Sequence, residues 1–290
     1  MAAQKTDDTA APGTAPGAAP DVAPGVDLTG RTAVVTGALG RLGPVWAGAL
    51  LGAGARVVGL DLSADVPAPL DAALDRHGHD RFLLLKADVT ERADLAAALA
   101  ECLSTFGPPT VLVNNAGIDQ PPSADGESWR FGDIPGEVSA GILDVNALGT
   151  LRACQVFGTD MAERGHGSIV NIGSLYAGMA PDPRLYEHLA QDPPFLKPPA
   201  YGMSKAGVCA LSRYLAALWG RRGVRVNTLS PGGVLGGQDR RFRELFGART
   251  PMGRMADTTE LTGPLLFLAS DLSGYVTGTE LLVDGGYSCW

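Results

Sequence analysis

The chain has 290 residues, of which 45% are hydrophobic and 19% are charged, and its formal net charge is −8. This size and composition suit one globular domain with a sizeable core. The acidic charge argues against nucleic acid as a partner, because phosphate binding needs a basic surface. No apolar run approaches the length of a membrane span. The four cysteines lack the spacing of a metal site or a disulfide framework, so we predict no metal and a cytoplasmic location.

The first 27 residues differ in composition from the rest of the chain. They consist mostly of Ala, Pro, Gly, Thr and Asp and show no apolar periodicity. Such a segment cannot bury enough surface to fold. We therefore predict a disordered tail over residues 1–27 and one folded domain over residues 28–290.

Beyond the tail, short runs rich in β-branched residues alternate with longer stretches rich in Ala and Leu. The runs predict strands over residues 32–36, 56–60, 82–86, 110–114, 168–173, 225–230 and 280–283. The stretches predict helices that include residues 44–51, 92–106, 137–164, 200–221 and 258–268. This alternation predicts an α/β fold, a single-domain, doubly wound parallel sheet of about seven strands with helices on both faces.

A glycine-rich turn, T-G-A-L-G-R-L-G over residues 36–43, joins the first predicted strand to the first predicted helix. Glycines there allow a tight turn and let backbone N–H groups approach a pyrophosphate at the helix N-terminus. In this context the turn predicts a dinucleotide site. The residues expected to bind the cofactor here are Gly37, Leu39, Gly40, Arg41, Leu42 and Gly43.

Asp61 ends the second predicted strand and bears on the choice of cofactor. A carboxylate there accepts hydrogen bonds from the adenosine ribose hydroxyls and repels a 2′-phosphate, which favours NAD over NADP. Arg41 is the opposing signal, because a guanidinium in the turn could pair with a 2′-phosphate. We predict NAD as the cofactor, with NADP less favoured.

Two further segments follow strands at the same edge of the predicted sheet. Asp88 with Val89 could contact the adenine, whereas Asp88 could equally be the N-cap of the next helix. Asn115, Ala116 and Gly117, in the segment N-N-A-G, come directly after the fourth strand, where such sheets bind ligands.

Tyr201 and Lys205 are four residues apart in Y-G-M-S-K, so on a helix they project from the same face. An ammonium beside a phenol lowers the pKa of the phenol from its ordinary value of about 10. The pair therefore predicts a proton donor and acceptor usable near neutral pH. The alternative is an ordinary helix pair without a function.

Together these motifs resemble the short-chain dehydrogenase/reductase family, in its compact single-domain branch. The likeness runs from about Asp27 to the C-terminus and includes a closing V-D-G-G segment. It implies a Rossmann-like fold and hydride transfer with NAD(P). It also implies that Tyr201 is the general acid/base, that Lys205 lowers the pKa of Tyr201 and binds the nicotinamide ribose, and that Ser174 polarises the substrate oxygen. Asn146 would hold a water in a proton relay to Lys205.

The same resemblance implies further contacts with the cofactor. Asn115, Ala116 and Gly117 would line the adenosine ribose. The backbone of Pro231, Gly232 and Val234 would face the nicotinamide.

The chain departs from the family pattern in three places. Arg41 stands where the compact branch usually has the middle glycine of the turn. Ser174 and Tyr201 are 27 residues apart instead of about 13, and the proline-rich insert at about residues 179–199 is predicted to form a substrate wall, or else a surface elaboration. Gly236 replaces the usual threonine, so one pyrophosphate contact is expected to be missing. We predict a mobile substrate segment at about residues 233–256, whose arginines either close over the substrate or face solvent.

The stretches around the catalytic residues resemble family members that act on polyhydroxylated compounds such as sugars, sugar acids and cyclitols. The candidates for hydroxyl recognition are Asp119, Gln120, Tyr186, His188 and Gln238. We therefore expect an oxidoreductase that interconverts a secondary alcohol and a ketone in bacterial metabolism. The alternatives are an epimerase or dehydratase that uses NAD transiently, and a catalytically idle NAD-binding regulatory protein. By resemblance, the expected assembly is a homotetramer or a homodimer.

Overall fold

The computed structural model describes residues 26–120 and 128–290, so the predicted tail lies outside the described residues apart from its last two positions. The described chain contains a seven-stranded sheet. Its strands are β1 Thr32–Thr36, β2 Arg56–Asp61, β3 Phe82–Lys86, β4 Val111–Asn114, β5 Gly167–Ile172, β6 Val224–Pro231 and β7 Glu280–Val283. Every predicted strand is present, and each end lies within one residue of its predicted position.

The strands pair in parallel throughout, in the order β3-β2-β1-β4-β5-β6-β7. The chain builds the sheet outward from β1 to β3 on one side and then from β4 to β7 on the other. The reversal between β1 and β4 leaves a crevice at their carboxyl ends, which is where doubly wound sheets bind ligands. The predicted doubly wound α/β fold is therefore confirmed.

Apart from short 3-10 turns, the described part of the chain has seven helices. They are α1 Gly43–Gly52, α2 Ala68–His77, α3 Arg92–Thr105, α4 over residues 136–164, α5 Pro199–Trp219, α6 Arg240–Arg249 and α7 Thr262–Ala269. α4 is continuous, with two π-helical segments, Asp144–Gly149 and Cys154–Gly158. The sequence prediction did not include α2, which is short, polar and buries only Leu70, Ala73 and Leu74. Within the described ranges, no helix combines the length and apolar character that a membrane crossing requires.

Two apolar cores fill the space between the sheet and its helices. One includes Trp46 and Leu50 of α1 and Leu265 of α7. The other, on the opposite face, includes Phe157 of α4 and Trp219 of α5. Because the central strands are packed on both faces, their carboxyl ends hold the following turns in fixed relative positions.

A third cluster, here called the aromatic layer, is built on Tyr186, Phe195, Phe242, Phe246 and Tyr287. The ring centroids of Tyr186 and Phe195 are 4.9 Å apart, and those of Phe246 and Tyr287 are 4.6 Å apart. The layer joins the proline-rich insert, α6 and the C-terminal residues. The insert is therefore packed through its own small core and is not a loose surface loop.

The segment predicted to be mobile contains α6. Phe242 and Phe246 of this helix are buried, whereas Arg240 and Arg241 are exposed and pair with Glu244 on the same helix. These two arginines match the solvent-facing alternative. The mobility of the segment stays a prediction.

Candidate active site

A cavity of about 1050 Å³ opens at the carboxyl edge of the sheet, between the turn after β1 and the segment after β6. It brings most of the predicted site residues together. Its wall includes Gly37, Gly40, Arg41, Leu42, Asn115, Ala116, Gly117, Asp119, Tyr186, His188, Tyr201, Lys205, Pro231, Gly232, Val234 and Gln238. The predicted residues that lie outside the wall are Leu39, Gly43, Asp61, Asp88, Val89, Gln120, Asn146 and Ser174.

The turn after β1 is held in shape by Asn115. Its amide donates to the carbonyl oxygens of Thr36 at 3.1 Å and Gly37 at 2.8 Å, and its Oδ1 accepts a bond from Trp46 Nε1 at 2.8 Å. A Cβ added to Gly43 would lie 2.3 Å from the carbonyl oxygen of Gly37, so only glycine lets α1 begin this close to the turn. This cradle fits a dinucleotide pyrophosphate. The Asn115 side chain is thus bound to the turn and to α1. The predicted contact of Asn115, Ala116 and Gly117 with the adenosine ribose stays a prediction.

Asp61 lies at the end of β2 and is bound to backbone N–H groups. Its Oδ2 accepts a bond from Leu39 N at 2.8 Å, and its Oδ1 accepts bonds from Leu62 N at 2.8 Å and Ser63 N at 3.3 Å. A carboxylate offers about four acceptor positions, so Asp61 retains capacity for a ribose hydroxyl. The bond to Leu39 also ties β2 to the glycine turn.

Asp88 stabilises the turn that precedes α3. Its Oδ1 accepts bonds from Thr90 N at 2.8 Å and Thr90 Oγ1 at 2.7 Å. Because α3 begins after Glu91, the alternative prediction that Asp88 is the helix N-cap is wrong. The predicted contact of Asp88 and Val89 with adenine stays a prediction.

Arg41 spans the cavity from the glycine turn to the segment after β6. Its guanidinium donates to the carbonyl oxygen of Val234 at 2.5 Å. A Cβ added to Gly236 would lie 2.4 Å from the same guanidinium, so the absence of a side chain at Gly236 makes room for Arg41. β2, which ends at Asp61, and β6 lie four strands apart, or about 19 Å at the usual strand spacing. Arg41 and Gly236 are two of the three departures from the family pattern, and they meet in this single contact.

Tyr201, Lys205 and Ser174 meet where β5 ends and α5 begins. α5 starts at Pro199, a residue that favours the first helical turn because its φ is already helical and its missing N–H would be unpaired there. Tyr201 and Lys205 lie in the first turns of this helix. The Ser174 hydroxyl lies beside the Tyr201 phenol and lowers its pKa. Lys205 Nζ donates to the carbonyl oxygen of Ile172 at 2.8 Å and lies 5.9 Å from the centroid of the Tyr201 ring.

Burial controls the acid–base properties of this group. It raises the pKa of the Tyr201 phenol above its ordinary value, and the Asp119 carboxylate raises that pKa further. The Ser174 hydroxyl and the charge of Arg41 lower that pKa. Burial also lowers the pKa of Lys205 to about 8. Burial therefore dominates the pKa of the phenol in the protein alone, and the predicted lowering of that pKa by Lys205 stays a prediction.

Asn146 is fully buried in the first π-helical segment of α4. Its Nδ2 donates to the Ile118 carbonyl at 2.9 Å and to Ser204 Oγ at 3.1 Å, and its Oδ1 accepts a bond from Ile118 N at 2.8 Å. A Cβ added to Gly117 would lie 3.2 Å from Asn146 Oδ1 and 3.6 Å from Lys205 Nζ. Asn146 thus ties α4 to α5 and to the loop after β4, close to Lys205. The predicted water relay stays a prediction.

Lys197 reaches the cavity from the proline-rich insert, and the sequence analysis missed it. Its Nζ forms an ion pair with Asp119 at 2.5 Å and lies 4.9 Å from the centroid of the Tyr201 ring. Both Lys197 and Asp119 line the cavity. A signal was available: the sequence has only four lysines among 23 basic residues, and Lys197 and Lys205 are two of them.

The other candidates for substrate recognition are tied to neighbouring segments. The hydroxyl oxygens of Tyr186 and Tyr176 are 3.3 Å apart. His188 Nε2 lies 3.0 Å from Asp239 Oδ2, a contact that links the insert to the start of α6. Gln238 Nε2 donates to a backbone carbonyl of the segment after β6 at 2.9 Å. Tyr186, His188 and Gln238 therefore form part of one wall.

Comparisons with known proteins agree with this geometry. A family model described as enoyl-(acyl carrier protein) reductase matches residues 37–288. D-threitol dehydrogenase of Mycolicibacterium smegmatis is 36% identical over 272 residues, which cover 90% of this chain and 94% of the relative. Galactitol 2-dehydrogenase (L-tagatose-forming) of Cereibacter sphaeroides is 37% identical, with coverage of 91% and 97%. The crystal structure of a gluconate 5-dehydrogenase from Burkholderia cenocepacia, in complex with NADP and tartrate, is 30% identical, with a TM-score of 0.78 and coverage of 91% and 98%.

The chain belongs to the short-chain dehydrogenase/reductase family. This short-chain dehydrogenase/reductase is an oxidoreductase that interconverts an alcohol and a carbonyl compound with NAD or NADP. The resemblance seen in the sequence is therefore confirmed.

Proposed function

We propose that this short-chain dehydrogenase/reductase oxidises one secondary hydroxyl of a polyhydroxylated, sugar-like or cyclitol-like small molecule to the ketone, and catalyses the reverse reduction, in bacterial metabolism. The observation that carries the proposal is the Tyr201 phenol, which lies beside Ser174 and one helical turn from Lys205, on the wall of a cavity that begins at a glycine turn. Relatives whose names specify threitol and galactitol support the substrate class.

In the proposed mechanism, Tyr201 moves the proton. In oxidation the Tyr201 phenolate accepts the proton of the substrate hydroxyl, and in reduction the phenol returns a proton to the carbonyl oxygen. The Ser174 hydroxyl holds the same oxygen in place, and the Lys205 ammonium stabilises the phenolate. A nicotinamide cofactor held at the glycine turn would supply the hydride acceptor for oxidation and the hydride donor for reduction.

For the cofactor we propose NAD. Asp61 carries a negative charge at the end of β2, and a 2′-phosphate at the adenosine ribose would be repelled by it. Arg41 does not offset this charge, since its guanidinium is engaged with Val234 on the other side of the cavity.

For the assembly we propose a homotetramer. Met203, Tyr214 and Leu218 of α5 and Leu148 of α4 are exposed although they are large and apolar. Exposed apolar residues grouped on packed helices are typical of interfaces between subunits.

The proposed function is tested by steady-state oxidation of galactitol with NAD, with identification of the ketone by NMR, for the wild type and Tyr201→Phe. We expect turnover by the wild type and a loss of about 10²–10⁴-fold in kcat in the variant, as for removal of a general acid/base. NADH binding, measured by calorimetry, should stay within about threefold, because the phenol hydroxyl moves the proton. Equal turnover by the two proteins would contradict the role of Tyr201.

A further inference from the structure

We propose that Lys197 and Asp119 together recognise hydroxyl groups adjacent to the carbon that is oxidised, and that this pair selects neutral polyols over sugar acids. The proposal rests on the proposed function of the site. It assigns a recognition role to Lys197, and it narrows the substrate class.

The position of the pair relative to the reacting oxygen carries the argument. Lys197 Nζ lies 4.9 Å from the centroid of the Tyr201 ring and 5.9 Å from that of Tyr176. Asp119 comes from the loop after β4 and forms an ion pair with Lys197 at 2.5 Å. A substrate whose hydroxyl reaches Tyr201 therefore has its neighbouring carbons close to this pair.

Burial distinguishes this ion pair from a surface ion pair. The Lys197 side chain is 8% exposed, and burial lowers its pKa while Asp119 opposes that shift. Keeping an ammonium in such a place carries a desolvation penalty that a surface pair does not have. The described contacts of its three N–H groups are Asp119 and, at a longer 3.4 Å, the Gln120 carbonyl, so the ammonium keeps donor capacity towards the cavity.

The chemistry of the pair matches a hydroxyl group. A hydroxyl both donates and accepts a hydrogen bond, so it can accept from the Lys197 ammonium and donate to the Asp119 carboxylate. Two neighbouring hydroxyls of a polyol can use both partners at once. Hydrogen bonds of this kind to charged groups are stronger than those between neutral groups.

The balance of charge explains the preference for neutral substrates. Asp119 already neutralises Lys197, so a substrate carboxylate placed here would meet the negative charge of Asp119 as well as the ammonium. Like charges brought together in a partly desolvated site discriminate against the wrong ligand. A neutral polyol meets no such repulsion.

The test compares three alcohols with NAD as the oxidant: galactitol as a neutral polyol, D-gluconate as a sugar acid and cyclohexanol as an alcohol without neighbouring hydroxyls. The variants are Lys197→Met and Asp119→Asn, and Lys86→Met, an exposed lysine at the end of β3, is the matched control. NADH affinity and Tm are measured for each protein to check its integrity.

We expect the wild type to prefer galactitol to gluconate. Lys197→Met should raise KM for galactitol by about 10–100-fold, the effect of losing a hydrogen bond to a charged group, and its loss of kcat/KM should be at least about tenfold smaller for cyclohexanol than for galactitol. Asp119→Asn should shift the preference towards gluconate by about tenfold or more, because it leaves the ammonium without its counter-charge. Lys86→Met should change none of these values.

Three results would overturn the inference. One is a wild type that prefers gluconate, and another is an equal loss of all three activities in Lys197→Met with unchanged Tm and NADH affinity, which would mean a structural role. If Lys197→Met does not fold, an unchanged galactitol-to-gluconate ratio in Asp119→Asn overturns it instead. The absence of turnover with all three alcohols, in a wild type that binds NADH, would count against the proposed function itself.

Discussion

The acid–base behaviour of Tyr201 and Lys205 depends on their burial more than on their spacing. In the sequence the two residues are an i,i+4 pair, and this pattern predicts a phenol with a lowered pKa. In the structure both side chains lose hydration, so the pKa of Tyr201 is raised and that of Lys205 falls to about 8. The phenol is therefore protonated in the protein alone, which suits proton donation to a carbonyl oxygen.

Lys205 gives a prediction about stability and pH. Its pKa is about 8 in the folded protein and 10.5 as its ordinary value, so the unfolded chain binds more protons between these two pH values. The free energy of unfolding should therefore rise with pH in this window, and the rise should be absent from Lys205→Met. The difference between the two proteins should change by at most about 3 kcal/mol between pH 8 and pH 10.5.

Urea unfolding of the wild type and Lys205→Met at pH 7.5, 9 and 10.5 checks this prediction, because other titrating groups cancel in the difference. Lys86→Met is the control, since Lys86 is exposed. A difference that stays constant over this range would show that Lys205 is not desolvated as the structure has it.

Asp61 gives a prediction about the cofactor. NADH should bind at least about tenfold more tightly than NADPH, because the carboxylate at the end of β2 repels a 2′-phosphate. Asp61→Asn removes the charge and keeps one oxygen that can accept from the Leu39 N–H, although its NH2 group cannot replace the bonds from Leu62 N and Ser63 N. The variant should therefore abolish the preference and keep the link to the glycine turn. Titration calorimetry with both nucleotides measures the ratio. Tighter binding of NADPH by the wild type would reverse the proposed choice.

At the scale of elements, one contact joins the glycine turn to the segment after β6. Arg41 replaces a glycine of the family pattern, and Gly236 supplies the space that its guanidinium occupies. A methyl group at Gly236 would meet the end of a flexible side chain and displace it. The two residues should therefore behave as one unit.

A double-mutant cycle tests this coupling. Arg41→Ala should weaken NADH and NADPH by the same factor, because the guanidinium lies near Val234 and not beside Asp61. Gly236→Ala should reproduce that loss, and the double variant should be no weaker than either single variant. Gly237→Ala is the matched control, since a Cβ there meets no described atom within 4 Å. A loss confined to NADPH would place Arg41 at the 2′-phosphate.

The π-helical segments of α4 are a second feature at the scale of elements, because one of them positions a candidate catalytic residue. Two π-helical segments interrupt this helix, and the first contains Asn146. Asn146 is bonded to the loop after β4 and to Ser204 of α5, so a local change in helical geometry positions one amide between three elements. Periodicity in the sequence predicted one uninterrupted helix here and could not indicate the π-helical turns.

At the scale of the whole molecule, the exposed apolar side chains of α4 and α5 predict self-association. Light scattering at micromolar concentration should give the mass of a tetramer for the wild type. Replacing Tyr214 and Leu218 by glutamate should give a smaller species, because charges at the centre of an apolar interface are costly to bury. Leu62→Glu, on an exposed residue after β2, is the control. A monomeric wild type would refute the prediction.

Much of this protein could be predicted from local sequence. The seven strands, the glycine turn, Asp61 and the Tyr201–Lys205 pair could be read from the sequence because strand periodicity, turn chemistry and short spacings are properties of neighbouring residues. Ser174 was indicated only by the family resemblance. α2 was missed because a short polar helix has little apolar periodicity to detect.

The rest was decided by tertiary structure, because it depends on groups that are far apart in the chain. Lys197 and Asp119 are 78 residues apart, and only the packing of the insert against the loop after β4 brings their charges together. The shifted pKa values of Tyr201 and Lys205 depend on how completely the fold excludes water. The sequence by itself determined the seven strands, most of the helices and the types of the candidate catalytic residues. The tertiary structure alone decided their charges and partners, since burial and long-range contacts exist only in the folded chain.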